Sequence, residues 1–305
     1  MTPERPAQPG LPTPAEIMAP AAAPAVEPAA VNTRGATLRA VYIIWRRDVI
    51  RYWRDRTRLL TSFAQPLLFL VIFGTGLASA LRGAGGGFGA GVGYQQFIYP
   101  GVISLAVLFT SVFSAVSIIW DREFGFLKEM LVAPIDRSAV AVGKTLGGAT
   151  QALFQGLILL LLAPLVGVAL TPLSILELAA LIFCLAFALT ALGVAVASRM
   201  RSTQGFQFVM NFLVQPAFFL SGALFPIVGL PGWMTVLTRF DPAAYGVDPI
   251  RRIVLADSGV QPAVLDRFAL TLFDARLPIP LEVAVLLLFG AVMMGVAVLN
   301  FRRRE

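Results

Sequence analysis

Between Arg82 and Asp121 the sequence contains no charged residue, and the same is true between Lys144 and Glu177 and between Arg201 and Arg239. Uninterrupted runs of this kind leave a soluble fold no polar face to turn toward water, whereas an apolar helix of about 20 residues is what crosses a bilayer. Six stretches meet that requirement, at about 59–81, 97–120, 145–166, 178–198, 206–228 and 283–301. The first is interrupted only by Gln65-Pro66, and Pro164 with Thr171-Pro172 marks a turn after the third. In hydrocarbon every backbone N–H and C=O has to be satisfied within the segment, so the fold class expected is an all-α membrane protein with six transmembrane helices. Only 13% of the residues are charged, about half of the ~25% usual in soluble domains.

Six spans put both termini on one side, and the basic residues say which. With the termini inside, nine Arg precede the first span, four Lys or Arg lie in 121–144, Arg199 and Arg201 follow the fourth span, and Arg302, Arg303 and Arg304 close the chain. Six remain outside: Arg82, Arg239, Arg251, Arg252, Arg267 and Arg276. This asymmetry predicts cytoplasmic termini in a cytoplasmic (inner) membrane, and it accounts for the net charge of +7 without nucleic acid as a partner.

Residues 1–33 are rich in Pro and Ala and lack a signal-peptide core, so a disordered cytoplasmic tail is expected. From 34 to 58, Leu38, Val41, Tyr42, Trp45, Val49 and Tyr52 recur at helical spacing among Arg39, Arg46, Arg47, Arg51, Arg54 and Arg58. That pattern predicts a basic amphipathic helix lying in the headgroup layer, in contact with membrane lipid. The outer segment 229–280 holds five Arg, five Asp and six Pro. Trp233, Val236, Leu237 and Phe240, then Ile250, Ile253 and Val254, keep helical spacing there, which predicts short helices capping the outer face.

Several chemistries are excluded. There is no His and a single Cys, Cys184, so Ser-His-Asp and Cys-His catalysis, His-containing zinc sites and an internal disulfide are all impossible. Gly143-Lys144-Thr145 resembles the end of a phosphate loop, yet Ser138 stands where the motif needs its first Gly. Among the acids only Glu177 and Glu282 come near the spans, both at an edge, so no ion-coupling group is expected at the midplane. No catalytic, metal or cofactor-binding residue is predicted, so the chain either moves a solute passively or draws its work from another subunit.

The inner loop from Asp121 to Lys144 is the informative one. It is dense in charge, yet Phe124, Leu127 and Leu131 fall at i, i+3 and i+7. Such a helix can seat its apolar face in a partner's groove, or dip it into lipid as an ordinary connector.

At this point the sequence resembles the permease subunits of type 2 ABC transporters (ABC-2), in the style of bacterial drug-resistance and nodulation-type export permeases. The resemblance covers about 35–305 and rests on an ordered set of segments. Tyr94 to Gly101 (Tyr-Gln-Gln-Phe-Ile-Tyr-Pro-Gly) enters the second span, and Arg122-Glu123-Phe124-Gly125-Phe126-Leu127-Lys128-Glu129 runs on to Pro134. Gly143-Lys144 opens the third span. Phe219-Leu220-Ser221-Gly222, Phe225-Pro226 and Leu230-Pro231-Gly232-Trp233 follow the fifth, and Asp241-Pro242, Tyr245, Asp248 and Arg251 lie in the outer segment. Asp241-Pro242 departs from the Asn-Pro most expected in the family.

The resemblance implies a connecting helix before the six spans and a cytoplasmic coupling helix between spans 2 and 3. The coupling helix would use Arg122, Glu123, Phe124, Gly125, Phe126, Leu127, Lys128, Glu129, Leu131 and Pro134 to dock on an ABC ATPase subunit. It further implies two ATPase copies that hold ATP and Mg²⁺, and a second permease subunit, forming a homodimer. Phe109, Phe113, Gln215 and Phe219 would line the pathway. The small residues Gly148, Ala152 and Gly156 could let helices of two copies approach closely, or serve packing within one chain. The function implied is export of an amphipathic or lipophilic compound. Export of a lipid-linked glycan is the alternative within the family, and a non-transporting membrane anchoring subunit the alternative outside it.

Overall fold

The computed structural model describes residues 33–79, 93–125, 136–227, 229–261, 269–272 and 275–302. The Pro/Ala-rich segment up to residue 32, the inner-loop residues Phe126, Leu127, Lys128, Glu129, Leu131 and Pro134, and the last three residues lie outside that set.

Helix α1 (Thr33–Arg54) is followed, after Asp55, by α2 (Arg56–Val71), which continues as a π-helical turn, Ile72–Leu77. The Asp55 carboxylate accepts from the Arg58 N–H at 3.0 Å, so this cap starts the second helix two residues before the expected 58 boundary. Then come α3 (Tyr94–Ser114), α4 (Val116–Glu123), α5 (Arg137–Leu160), α6 (Pro172–Ala197) and α7 (Thr203–Leu220). The outer segment forms α8 (Gly232–Phe240) and α9 (Ala244–Asp257), and α10 (Ile279–Arg302) ends the described chain. Among the described residues, four units are long and apolar enough to cross a membrane: Arg56–Leu77, Tyr94–Glu123, Pro172–Ala197 and Ile279–Arg302. Helices α5 and α7, of 24 and 18 residues, stand in chain order where the third and fifth spans are expected.

Helix ends follow side-chain caps more closely than the limits of the apolar runs. Asp136 caps α5 by accepting from Ser138 N–H, and this exposed carboxyl is held below the usual carboxylate range by that bond. The cap starts α5 at Arg137, ahead of the expected 145, and takes Lys144 into the helix. Thr171 caps α6, with Pro172 at its first position, so the helix begins before 178 and carries an exposed Glu177. Helix α7 stops at Leu220, short of the expected 228, and the chain turns through Gly222 at φ +75°, a conformation that favours glycine.

Helix α6 is central, packing on α3, α5, α9 and α10. In lipid, helices are held together by close van der Waals contact, so small residues mark the seams. A Cβ on Gly148 would meet the side chains of Ser114 and Thr190, and one on Gly156 those of Ile182 and Val107. Ala152 between them is fully buried. This stripe of α5 therefore seats α3 and α6 of the same chain and is not the surface through which two copies would meet.

The outer segment does more than cap the bundle. Helix α8 exposes Trp233, Val236, Leu237 and Phe240, whereas α9 is buried among α3, α6 and α10. A Cβ on Gly246 would lie 2.6 Å from Leu185, a residue halfway along α6, so α9 reaches well into the bundle. Just before it, the Asp241 carboxylate accepts from Ala243 N–H at 2.9 Å. An amide oxygen at this position would accept in the same way, so Asp-Pro here meets the turn's need as Asn-Pro would. A two-residue antiparallel pair, β1 (Thr271–Leu272) with β2 (Ala275–Arg276), pairing Thr271 with Arg276, is a small departure from the all-helical expectation.

Candidate functional site

The inner ends of the helices converge on a buried cluster of charges. Helix α1 lies along the first half of α5: Ile44 packs on Gly143, Asp48 on Gly147, Trp45 Nε1 donates to Thr150 at 3.0 Å, and Trp53 meets Phe154 edge-on. The buried face of α1 is thus Ala40, Ile44, Asp48 and Tyr52, four residues apart. Leu38 and Tyr42, expected in the apolar stripe, are exposed together with Ile43, Ile50 and Trp53.

Asp48 is the one acid in α1, and Lys144 is its reason. The Lys144 side chain, 1% exposed, places Nζ 3.0 Å from Asp48, 2.6 Å from Asp121 and 3.1 Å from the Ser117 hydroxyl. Arg47 reaches the same Asp121 oxygen as Lys144, at 2.5 Å, and Arg51 stands 3.5 Å from the other oxygen. One ammonium therefore ties together α1, α4 and α5. The lysine of Gly143-Lys144-Thr145 is thus enclosed by two carboxylates.

The two residues after Asp121 hold a different turn. Arg122 donates to the carbonyls of Ser198 and Met200, closing the end of α6. Glu123 accepts from the Thr203 N–H at 3.4 Å and the Thr203 hydroxyl at 3.3 Å, at the start of α7. The remaining inner ends are tied through α10: Asn300 donates to Ala195 O and Ser198 Oγ and accepts from Arg199, while Arg137 donates to Phe301 O and Arg302 O.

The expected coupling residues divide accordingly. Arg122 and Glu123 bond to the α6–α7 turn, Glu123 while still exposed, Phe124 is 72% exposed, and Gly125 turns the chain at φ +82°. The other six lie outside the described residues. Of the expected pathway residues, Phe109 and Phe113 stack on one another, and Phe113 meets Phe206 edge-on. Gln215 and Phe219 are exposed on α7.

The sequence reading missed two charged clusters. Asp121 and Lys144 end apolar runs and read as loop charges, although the lone acid among the arginines of α1 was a usable signal. At the outer side Glu282, expected at a solvated span edge, is fully buried, with Arg252 bonded to both it and Asp248. Asp248 also accepts from Leu270 N–H at 2.9 Å, and Arg252 donates to Leu277 O at 2.8 Å. Arg251, 1% exposed, donates to Gly222 O and lies 4.5 Å above the Phe97 ring. Arg251 and Arg252, read as outer-loop charges, are therefore internal.

This helical membrane chain, with its inner ends wired together around the second span, matches the ABC-2 type transporter family over residues 39–255. It belongs to that family. Among its relatives are the transport permease ycf38 of Cyanophora paradoxa, 27% identical over 216 residues that cover 70% of this chain and 73% of the relative. Nodulation protein J of Rhizobium leguminosarum bv. trifolii is 28% identical over 216 residues, 70% of this chain and 80% of its own. The inner membrane transport permease YadH of Escherichia coli K12 is 27% identical over 223 residues, 70% and 81% of the two chains. The chain is thus a multi-pass membrane transport permease subunit of an ABC-2 system, a family whose transporters work with an ATPase partner.

Proposed function

We propose that this ABC-2 permease forms a homodimer in the inner membrane and exports an amphipathic or lipophilic compound, driven by two copies of a separate ATPase subunit that hold ATP and Mg²⁺. Each chain crosses the membrane six times, through α2, α3–α4, α5, α6, α7 and α10, with both termini in the cytoplasm. The segment from Arg122 to Pro134 is the contact with the ATPase. The observation that carries this reading is the wiring of residues 121–123: Asp121 is fixed to α1 and α5 through Lys144, and Arg122 and Glu123 to the α6–α7 turn. A push on the chain just beyond Glu123 is delivered at once to four helices, which is what an ATPase closing below the membrane requires of its contact.

Phe124 is the residue to test, because Glu123 is already engaged within the chain. Phe124→Asp combined with Leu127→Asp should cut recovery of the co-expressed ATPase about tenfold, since removing buried apolar anchors dominates interface energetics. The permease itself should stay monodisperse. Undiminished ATPase recovery would sink the coupling assignment. For topology, Ser138→Cys and Gln261→Cys in a Cys184→Ala background should label from the cytoplasmic and the outer side respectively with a membrane-impermeant maleimide. The reverse pattern overturns the orientation.

A further inference from the structure

Arg58, Gln65, Phe109, Thr110, Phe113 and Gln155 belong to the wall of a cavity of about 160 Å³ where the start of α2 meets α3 and α5. Most of its polar groups are already satisfied. Thr110 donates to Gln155 Oε1, and Gln155 Nε2 donates to Ser62 O at 2.8 Å. Two donors in the wall are not. The guanidinium of half-buried Arg58 makes no hydrogen bond or ion pair among the described residues, although its backbone N–H donates to Asp55 and its carbonyl accepts from the Thr61 hydroxyl. Tyr52 is 3% exposed, and its hydroxyl has the Ser62 hydroxyl beside it but no hydrogen bond of good geometry. A buried hydroxyl without a partner is costly, and a cation beside it with the same lack marks a place shaped for an acceptor.

We propose that this cavity binds the anionic headgroup of a membrane amphiphile. Arg58 and the Tyr52 hydroxyl donate to its phosphate or carboxylate oxygens, a charge-assisted arrangement suited to a guanidinium. The stacked Phe109 and Phe113 rings offer the first methylenes an apolar wall. Size and position favour a lipid over a free anion. The cavity holds about five waters' worth of volume, enough for a headgroup but far too little for a whole lipid, so the tails have to lie outside. They have a surface to lie on, because beyond the cavity α2 exposes Leu67, Leu68, Val71 and Ile72. The nearby acids do not fill the role of the anion: Asp48 is bound by Lys144, and Asp55 caps the α2 backbone. The binding does not depend on what the permease exports.

The test is native mass spectrometry of the full chain in a neutral maltoside detergent, titrated with dioleoylphosphatidylglycerol, dioleoylphosphatidylcholine or inorganic phosphate. Phosphatidylglycerol should bind more tightly than phosphatidylcholine. Arg58→Gln should weaken it about tenfold and Tyr52→Phe about fivefold, as loss of a charged and a neutral hydrogen bond respectively. Arg58→Lys should retain most of the affinity, and Arg54→Gln, which removes an exposed charge outside the cavity wall, should change nothing. If Arg58→Gln fails to fold, Tyr52→Phe decides alone, since it removes a single oxygen. Equal binding of the two lipids, native affinity in Arg58→Gln or Tyr52→Phe, or displacement of phosphatidylglycerol by millimolar phosphate overturns the proposal, the last outcome indicating a small-anion site.

Discussion

Lys144→Met is expected to destabilise the permease by about 3–5 kcal/mol, the usual penalty for removing one partner of a buried ion pair. Methionine keeps the length and apolar stem of lysine, so the packing of α5 against α1 is preserved and the change is one of charge. What remains is the pair Asp48 and Asp121, both almost fully buried and until then sharing the Lys144 ammonium. Arg47 and Arg51 still reach Asp121, and Arg47 stands 3.5 Å from Asp48, but both arginines are more than a third exposed, and their pairing is partly screened by solvent. The measurement is thermal unfolding in detergent, followed by tryptophan fluorescence. The discriminating variant is Lys144→Met with Asp121→Asn, which removes one charge of each sign. If the loss arises from an unpaired carboxylate, the double variant should recover a large part of the midpoint; if it arises from packing, the two losses should add. A Lys144→Met protein as stable as the parent would show that the cluster holds nothing together. The same variant bears on coupling, because in it Asp121 keeps its arginines on α1 but is no longer fixed to α5.

Much of the bundle is legible in the sequence because its cause is local. An apolar run of spanning length has to become a helix in lipid whatever surrounds it, and helices stand in order at each of the six places where the runs predict them. Their ends were less legible, since Asp136, Thr171 and Ser202 set them through caps that lie outside the apolar runs. The candidate site was half legible. Arg122, Glu123 and Phe124 could be singled out by pattern, yet only the fold shows that the first two face the α6–α7 turn and the third faces out. Asp48, Asp121 and Lys144 are separated in sequence by most of the first half of the chain, and no periodicity links them. The insertion of α9 was hidden for a related reason. Its Asp248, Arg251 and Arg252 read as solvated charges because their partners are distant in sequence: Glu282, which meets Arg252, lies in the first turn of α10, and Phe97, which meets Arg251, lies in α3.

That outer cluster gives the second large effect, and it is asymmetric. Arg252 is the cation bonded to both Asp248 and Glu282, while Arg251 is occupied by the Gly222 carbonyl and the Phe97 ring. Arg252→Met therefore leaves two buried carboxylates facing each other, and it also frees the Leu277 carbonyl. A loss of about 3–5 kcal/mol is expected, again the penalty for stripping a buried pair of one member. Glu282→Gln should behave in the opposite way. Two carboxylates share one guanidinium, one oxygen of each lacks a hydrogen bond, and an amide in place of Glu282 removes the surplus charge while offering N–H groups that can donate to Asp248. Its effect on the unfolding midpoint should stay within about 1 kcal/mol, the net worth of an ordinary hydrogen bond. Both variants are compared in detergent at one pH, with cysteine accessibility at Gln261→Cys reporting whether α9 stays seated. A severe loss in Glu282→Gln, or none in Arg252→Met, would mean that the charges are held by something other than each other. If the asymmetry is observed, Arg252 is the cation that holds the Asp248 carboxylate of α9 against the Glu282 carboxylate of α10, while Arg251 seats α9 separately on Phe97 of α3.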